Sequence, residues 1–253
     1  MKTLNTKNFR IVLQKVTVDF LIPFCQLNFK NGKIKTSVIA PTRDVVVQHD
    51  LENNVISGLT TGDELTFNLV DPQLRILPQL KALESIDIEE SEIKLTDESI
   101  KLLAGQWGGG EIHFNDESAL ANHIMQRPPR ELDYFYSTIV TPEMHYGFKP
   151  IKAVAPTYGK IYFTVDRGEL YLETADKTNQ FTDNYKLPLA NGLAVDDLTV
   201  CFDFANFSNL MNVMANEKQY TMHFAWNVEE DRGMVFSHTE SKDEKYYLFS
   251  RGI

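Results

Sequence analysis

The sequence predicts an α+β protein built from four strand–helix–strands units arranged as two pairs. Three observations carry that prediction. Short segments rich in aromatic and β-branched residues alternate apolar and polar side chains with period two, the pattern of half-buried strands. Four other segments repeat apolar residues at spacings of three and four, the pattern of one helix face. Each of those helical segments follows one strand and precedes others, so the same grammar recurs along the chain. That recurrence reads as an internal duplication.

The first unit opens with a short strand over residues 1–4. Thr6 stands where a helix cap belongs, and Phe9, Val12, Leu13 and Val16 form the apolar stripe behind it. Residues 23–30, 33–40 and 43–52 read as antiparallel strands, the first two joined by Asn31-Gly32, a strong hairpin signal. The second unit starts with a strand over 63–69. Asp71-Pro72 then supplies a cap and a proline at the first helical position, where a missing N–H has no partner to lose. Leu74, Leu77, Leu80 and Leu83 follow, and 85–90, 92–95, 99–104 and 111–114 read as strands.

Residues 115–133 break the pattern. The stretch is polar and proline-containing, with Leu120, Ile124 and Met125 as apolar islands. It predicts a connector between an N-terminal domain, 1–114, and a C-terminal domain, 134–253. A short helix over 117–125 is the alternative form of the same stretch.

The third unit is the clearest. Residues 134–140 form a strand, Thr141-Pro142 starts a helix, and Met144, Phe148, Ile151 and Ala155 make its stripe. Strands follow over 159–166, 169–175 and 181–189, the first two joined by the turn Asp166-Arg167-Gly168-Glu169. In the fourth unit a strand over 198–204 precedes Phe207, Leu210, Met211 and Met214. Strands over 218–227, 233–239 and 245–251 then close the chain. Pro78 and Pro150 fall inside two of the helical patterns. Each removes a backbone bond and should kink or end its helix, at about 3 kcal/mol if forced into the interior.

Two lone cysteines, Cys25 and Cys201, sit in apolar strand contexts and read as small core residues rather than a disulfide pair. No segment approaches the roughly 20 apolar residues of a membrane helix, and no long apolar core follows MKTLNTKNFR, so a cytoplasmic protein is expected. No phosphate loop follows Gly108-Gly109-Gly110, the six histidines include no H-x-x-x-H pair, and no G-x-S-x-G elbow occurs. The acidic runs lie at expected turns. A binding protein without catalytic residues, metal or cofactor is the expectation.

The net charge of −10 would ordinarily argue against a nucleic-acid partner. Its distribution argues otherwise. The four helical segments, 6–16, 71–83, 141–153 and 205–216, carry a net charge of +5, and everything else carries −15. The cations are Lys7, Arg10, Lys15, Arg75, Lys81, Lys149 and Lys152; the fourth segment contributes only Asn206, Asn209, Asn212 and Asn216. Ordinary solvated helix faces are the plain alternative, but three helices sharing one sign inside an anionic chain favour a polyanion.

With these units, cationic helices and an acidic remainder, the chain resembles the sliding clamps of DNA polymerases. It looks closest to the T-even-type phage clamp, with the cellular PCNA clamps further away. The second half carries the likeness best, through LTVCFDFANFSNLMNVMANEKQYTMHFAWN, an F-x-F-x-x-x-x-x-x-M-N-type passage from strand to helix, and a closing Y-x-L-type strand. The resemblance implies two domains with helices lining a hole, sheets outside, and a homotrimeric ring closed through edge strands, here near 99–114 and 181–189. It implies duplex DNA held without base reading by the seven cations, with a replicative polymerase and a clamp loader as partners. Partner tails would dock beside the connector, on Leu120, Ile124 and Met125 with Ile39, Val45, Val47 and Phe249. A T-even-type relative would also activate late viral transcription, in the cytoplasm of a bacteriophage host. The prolines and the uncharged fourth helix depart from the pattern. Two other readings remain open: a monomeric processivity subunit binding DNA on one open basic face, and an α/β enzyme.

Overall fold

A computed structural model describes all residues except 61, 87, 89, 97, 104–107, 126–133, 158, 176–183, 216–219, 228–231, 239–243 and 251–253. The chain divides into two compact units, Met1–Pro41 with Val47–Pro128, and Thr42–Val46 with Pro129–Ile253.

The first unit contains β1 (Lys2–Asn5), α1 (Thr6–Val16), β2 (Phe24–Lys30), β3 (Lys33–Ile39), β4 (Val45–Glu52), whose first two residues group with the second unit, and β5 (Ile56–Ser57). It continues with β6 (Glu64–Val70), α2 (Pro72–Arg75), α3 (Leu77–Glu84), β7 (Glu90–Leu95), β8 (Ser99–Leu103) and β9 (Gly109–His113). One sheet runs β5-β1-β7-β8-β9, and the other strands follow the order β4-β3-β2-β6.

The second unit contains β10 (Tyr134–Val140), α4 (Pro142–Val154), β11 (Lys160–Asp166), β12 (Glu169–Thr174) and β13 (Tyr185–Ala190). Its second half is β14 (Leu198–Asp203), α5 (Phe204–Met214), β15 (Tyr220–Asn227), β16 (Arg232–His238) and β17 (Glu244–Leu248). Here the orders are β13-β12-β11-β14 and β10-β15-β16-β17. These match β4-β3-β2-β6 and β1-β7-β8-β9 strand for strand, so the duplication read from the sequence is a duplication of topology.

Each turn and helix end has a local cause. Asn31-Gly32 (φ 53° and 75°) and Arg167-Gly168 (φ 51° and 79°) both adopt the left-handed pair that two-residue hairpins require. The cap of α1 is Asn5, whose side chain accepts from the Asn8 N–H at 2.8 Å. Thr6 is instead the first helical residue, and its hydroxyl donates to the Ile88 carbonyl. Asp71 and Thr141 provide no side-chain cap, whereas Asp203 accepts from the Asn206 N–H and caps α5.

The expected helix over 71–83 is two helices. Pro78 occupies the first turn of α3, where its missing donor is harmless, and the chain breaks at Ile76. Pro150 lies inside α4 without ending it. The carbonyl it leaves unbonded is that of Tyr146, four residues earlier, whose side chain is exposed. The expected strand over 85–90 begins only at Glu90, because the Ser85 and Ile88 N–H groups turn back to the Lys81 and Leu83 carbonyls.

The apolar stripes of α1 and α5 face inward, as does that of α4 apart from the half-buried Met144. In the second helical segment Leu80 and Leu83 are buried, but Leu77 is half-buried and Leu74 exposed, because the helix breaks at Ile76. Phe9, Val12, Leu13 and Val16 of α1 are buried with Leu4, Phe29 and Phe67. In the second unit Phe163 packs edge-on against Phe202 and Phe207 at 5.6 and 5.9 Å, and Phe148 against Phe207 at 6.1 Å. Cys25 and Cys201 are buried thiols rather than a disulfide pair, and burial pushes the Cys25 thiol up to about 12. Tyr246, Tyr247 and Leu248 of the tail are core residues of β17.

Candidate nucleic-acid interface

Each unit sets two helices side by side with cations on the side away from its core. In the first unit α1 buries Phe9 and Leu13, which leaves Lys7 exposed and Arg10 and Lys15 half-buried. Arg10 Nε lies 3.0 Å from Glu84 Oε1 at the end of α3, and its Nη1 reaches Gln14. Arg10 is therefore partly neutralised by the neighbouring helix. Lys81 of α3 is exposed. Arg75 is exposed at the end of α2 and donates to Asn115 Oδ1 at 3.1 Å.

In the second unit Lys149 is exposed, with its ammonium 4.3 Å from the centre of the Tyr146 ring, a cation–π geometry. Lys152 is half-buried and donates to Asn212 Oδ1 of α5 at 2.7 Å. Burial depresses the Lys152 pKa, and burial followed by the charge of Lys152 depresses that of His145 on the same helix. The predicted polar row on α5 needs correction. Asn206 is buried and donates to Asp44 Oδ2 at 2.7 Å, Asn209 is half-buried, Asn212 is exposed, and Asn216 lies outside the described residues.

The structure thus groups Lys7, Arg10, Lys15, Arg75 and Lys81 on the helices of one unit and Lys149 and Lys152 on those of the other. Three exposed apolar side chains lie among these cations: Ile11 and Tyr146, which sequence reasoning missed, and Leu74, which it had assigned to a buried stripe. The three-residue step from Tyr146 to Lys149 was a readable signal for the tyrosine. Glu84 and Asn212 were not readable, since they are 74 and 60 residues away from their partners.

The expected docking residues are placed unevenly. Residues 115–125 group with the first unit, as a 3-10 turn (Glu117–Ala119) and a strap laid on β3. Val38 bridges to Ile124, the Ile39 N–H donates to the His123 carbonyl, and the Met125 N–H donates to the Ser37 carbonyl. Ile39, Ile124 and Met125 are therefore held close through their backbones, and each is half-buried. Leu120, Val45 and Val47 are fully buried, so they present no surface to a partner in this structure. Phe249, half-buried, belongs to the second unit, where its N–H donates to the Asp44 carbonyl. No group of three or more metal-binding side chains occurs among the described residues, and no described helix is long and apolar enough to cross a membrane.

This architecture is the fold of the DNA sliding clamps. Solved structures that share it include a DnaN sliding clamp, the DNA polymerase III β subunit of Pseudomonas aeruginosa, at a TM-score of 0.69 and 11% identity, covering 100% of this chain and 66% of that one. A. fulgidus PCNA, solved with the C-terminal region of FEN-1 bound, aligns at a TM-score of 0.68 and 14% identity, covering 100% of this chain and 99% of that one. The PCNA of Entamoeba histolytica aligns at 0.67 and 13% identity, covering 99% and 98%. The chain thus spans about two thirds of the bacterial subunit and nearly all of each PCNA. No protein-family model matches the sequence, and neither does any curated protein.

Proposed function

We propose that this chain is a sliding clamp: copies assemble head to tail into a ring that holds duplex DNA without reading its sequence and tethers a DNA polymerase to the primer end. One observation carries the reading. In a protein of net charge −10, cations gather on the outward faces of paired helices in both units of a clamp fold. Such cations attract phosphates at long range and position a duplex without specifying bases, which permits sliding. Tethering raises the local concentration of a polymerase at its substrate without any catalysis by the clamp.

Two strands support ring closure. β9 and β13 each end their sheets, and an exposed edge invites pairing with another chain. Joining β9 of one copy to β13 of the next is a heterologous contact that closes if the rotation allows, with three copies as the count implied by the resemblance. The surface of Ile39, Ile124 and Met125 suits a short apolar tail of a polymerase or clamp loader, with Phe249 as a further contact. A. fulgidus PCNA holds the C-terminal region of FEN-1. A role in viral late transcription would use the same docking surface.

Light scattering and binding of a 30-bp duplex, followed by fluorescence anisotropy, test the reading. The expected result is an oligomer that binds unrelated duplexes equally, with affinity falling steeply as salt rises. A stable monomer at micromolar concentration overturns the ring, and salt-insensitive binding overturns the phosphate contacts.

A further inference from the structure

The edge strand β9 is braced by a side chain of the cationic helices. Gln79, in the first turn of α3, donates from Nε2 to two carbonyls, that of Arg75 at 3.0 Å and that of Glu111 at 3.3 Å. The same Arg75 reaches Asn115, just beyond the end of β9, with its guanidinium. The carboxamide fits because residue 110 is glycine: a Cβ there would lie 2.5 Å from Gln79 Oε1. That oxygen is buried without a hydrogen-bond partner among the described residues, so the brace is kept in spite of a desolvation cost.

The second unit carries a counterpart. Its edge strand β13 leans on α4 through Leu187, whose Cδ1 lies 3.4 Å from the place a Cβ on Gly147 would take. In each unit, then, an open edge rests on a cationic helix, and in the first unit the contact depends on a glycine, Gly110.

We propose that Gln79 is a positioning residue for self-association, holding β9 in the shape that pairs with a second copy of the chain. The inference rests on the clamp reading. It links the cationic helices to assembly, because Arg75 supplies both a phosphate contact and one anchor of the brace. Binding free energies coupled in this way act reciprocally, so an anion on Arg75 and a strand on β9 each alter the affinity for the other.

Gln79→Leu removes both donations at similar size, and Gly110→Ala displaces the carboxamide from the opposite side. In DNA-free buffer, sedimentation velocity over a dilution series should show self-association about tenfold weaker for each. Circular-dichroism melts should keep the folded spectrum, and Gln73→Ala, an exposed position on α2 away from the brace, should assemble like the parent protein. Variants that assemble as tightly as the parent overturn the inference. So does loss of the folded spectrum in both, which would assign the contact to folding. A parent protein that stays monomeric overturns the clamp reading itself.

Discussion

Asn206, in the first turn of α5, donates from Nδ2 to Asp44 Oδ2 at 2.7 Å across 162 residues of sequence, and the bond is buried. Asp44 is also held by the Thr42 hydroxyl, and its carbonyl accepts from the Phe249 N–H at 2.7 Å. These bonds explain why Thr42–Val46 groups with the second unit rather than with the rest of its own strand. Removing a donor leaves the buried carboxylate one hydrogen bond short. Asn206→Leu should therefore lower the stability of the second unit by about 1–3 kcal/mol. Urea denaturation checks this, and a midpoint equal to that of the parent protein would show that Asp44 finds other partners.

Two histidines of the second unit should make its stability depend on pH. Burial, then Lys152, holds His145 below its ordinary value of 6.5, and burial, then Lys245, does the same to His223. The folded state therefore binds protons less readily than the unfolded chain. Their contribution is fully present above pH 6.5 and is lost as pH falls through that value toward the lowered folded ones. Melting temperature should drop between pH 7.5 and 5.5, roughly one unit either side of the unperturbed histidine value. The double variant His145→Gln, His223→Gln should flatten the curve. The same slope in that variant would place the titrating groups elsewhere.

The helix faces were legible because burial follows the 3.6-residue period: Phe9, Val12, Leu13 and Val16 were read as a stripe and are buried. The hairpins were legible in Asn31-Gly32 and Arg167-Gly168, whose left-handed pairs few other sequences tolerate. Local pattern failed where distant partners decide. Nothing near Asn206 marks it as a core residue, since its partner lies in another part of the chain. Arg10 looked like a free phosphate contact until Glu84 was placed beside it. Ile86 and Ile88 imitate a strand by alternation, yet the turn after α3 claims their backbone. The docking residues were chosen for apolarity, and apolarity alone does not separate the half-buried Ile124 from the sealed Leu120.

The strap on β3 gives a prediction for docking. Ile124 is held through its backbone by the bridge to Val38, and its side chain is half-buried. Ile124→Glu should abolish binding of apolar-tailed peptides taken from a replicative polymerase while leaving duplex affinity unchanged. Isothermal titration with such a peptide checks it. Undiminished affinity would remove this surface from partner recognition.

The cations differ in what they can offer a phosphate, and the salt dependence of duplex binding should rank them. Lys81 and Lys149 are exposed, whereas Arg10 is paired with Glu84 and Lys152 with Asn212. Each cation that neutralises a phosphate adds about 0.9 to the slope of log affinity against log salt. Lys81→Ala and Lys149→Ala should each lower that slope by about 0.9, because both release a counterion-exchanging contact. Arg10→Ala should change it less, since Glu84 already takes part of its charge. The double reversal Lys149→Glu, Lys152→Glu should weaken duplex retention and shorten polymerase products in a primer-extension assay. Light scattering should still find the assembled particle, since neither lysine lies on β9 or β13. Equal slopes for all four variants and the parent protein would mean that phosphates meet some other face of the molecule.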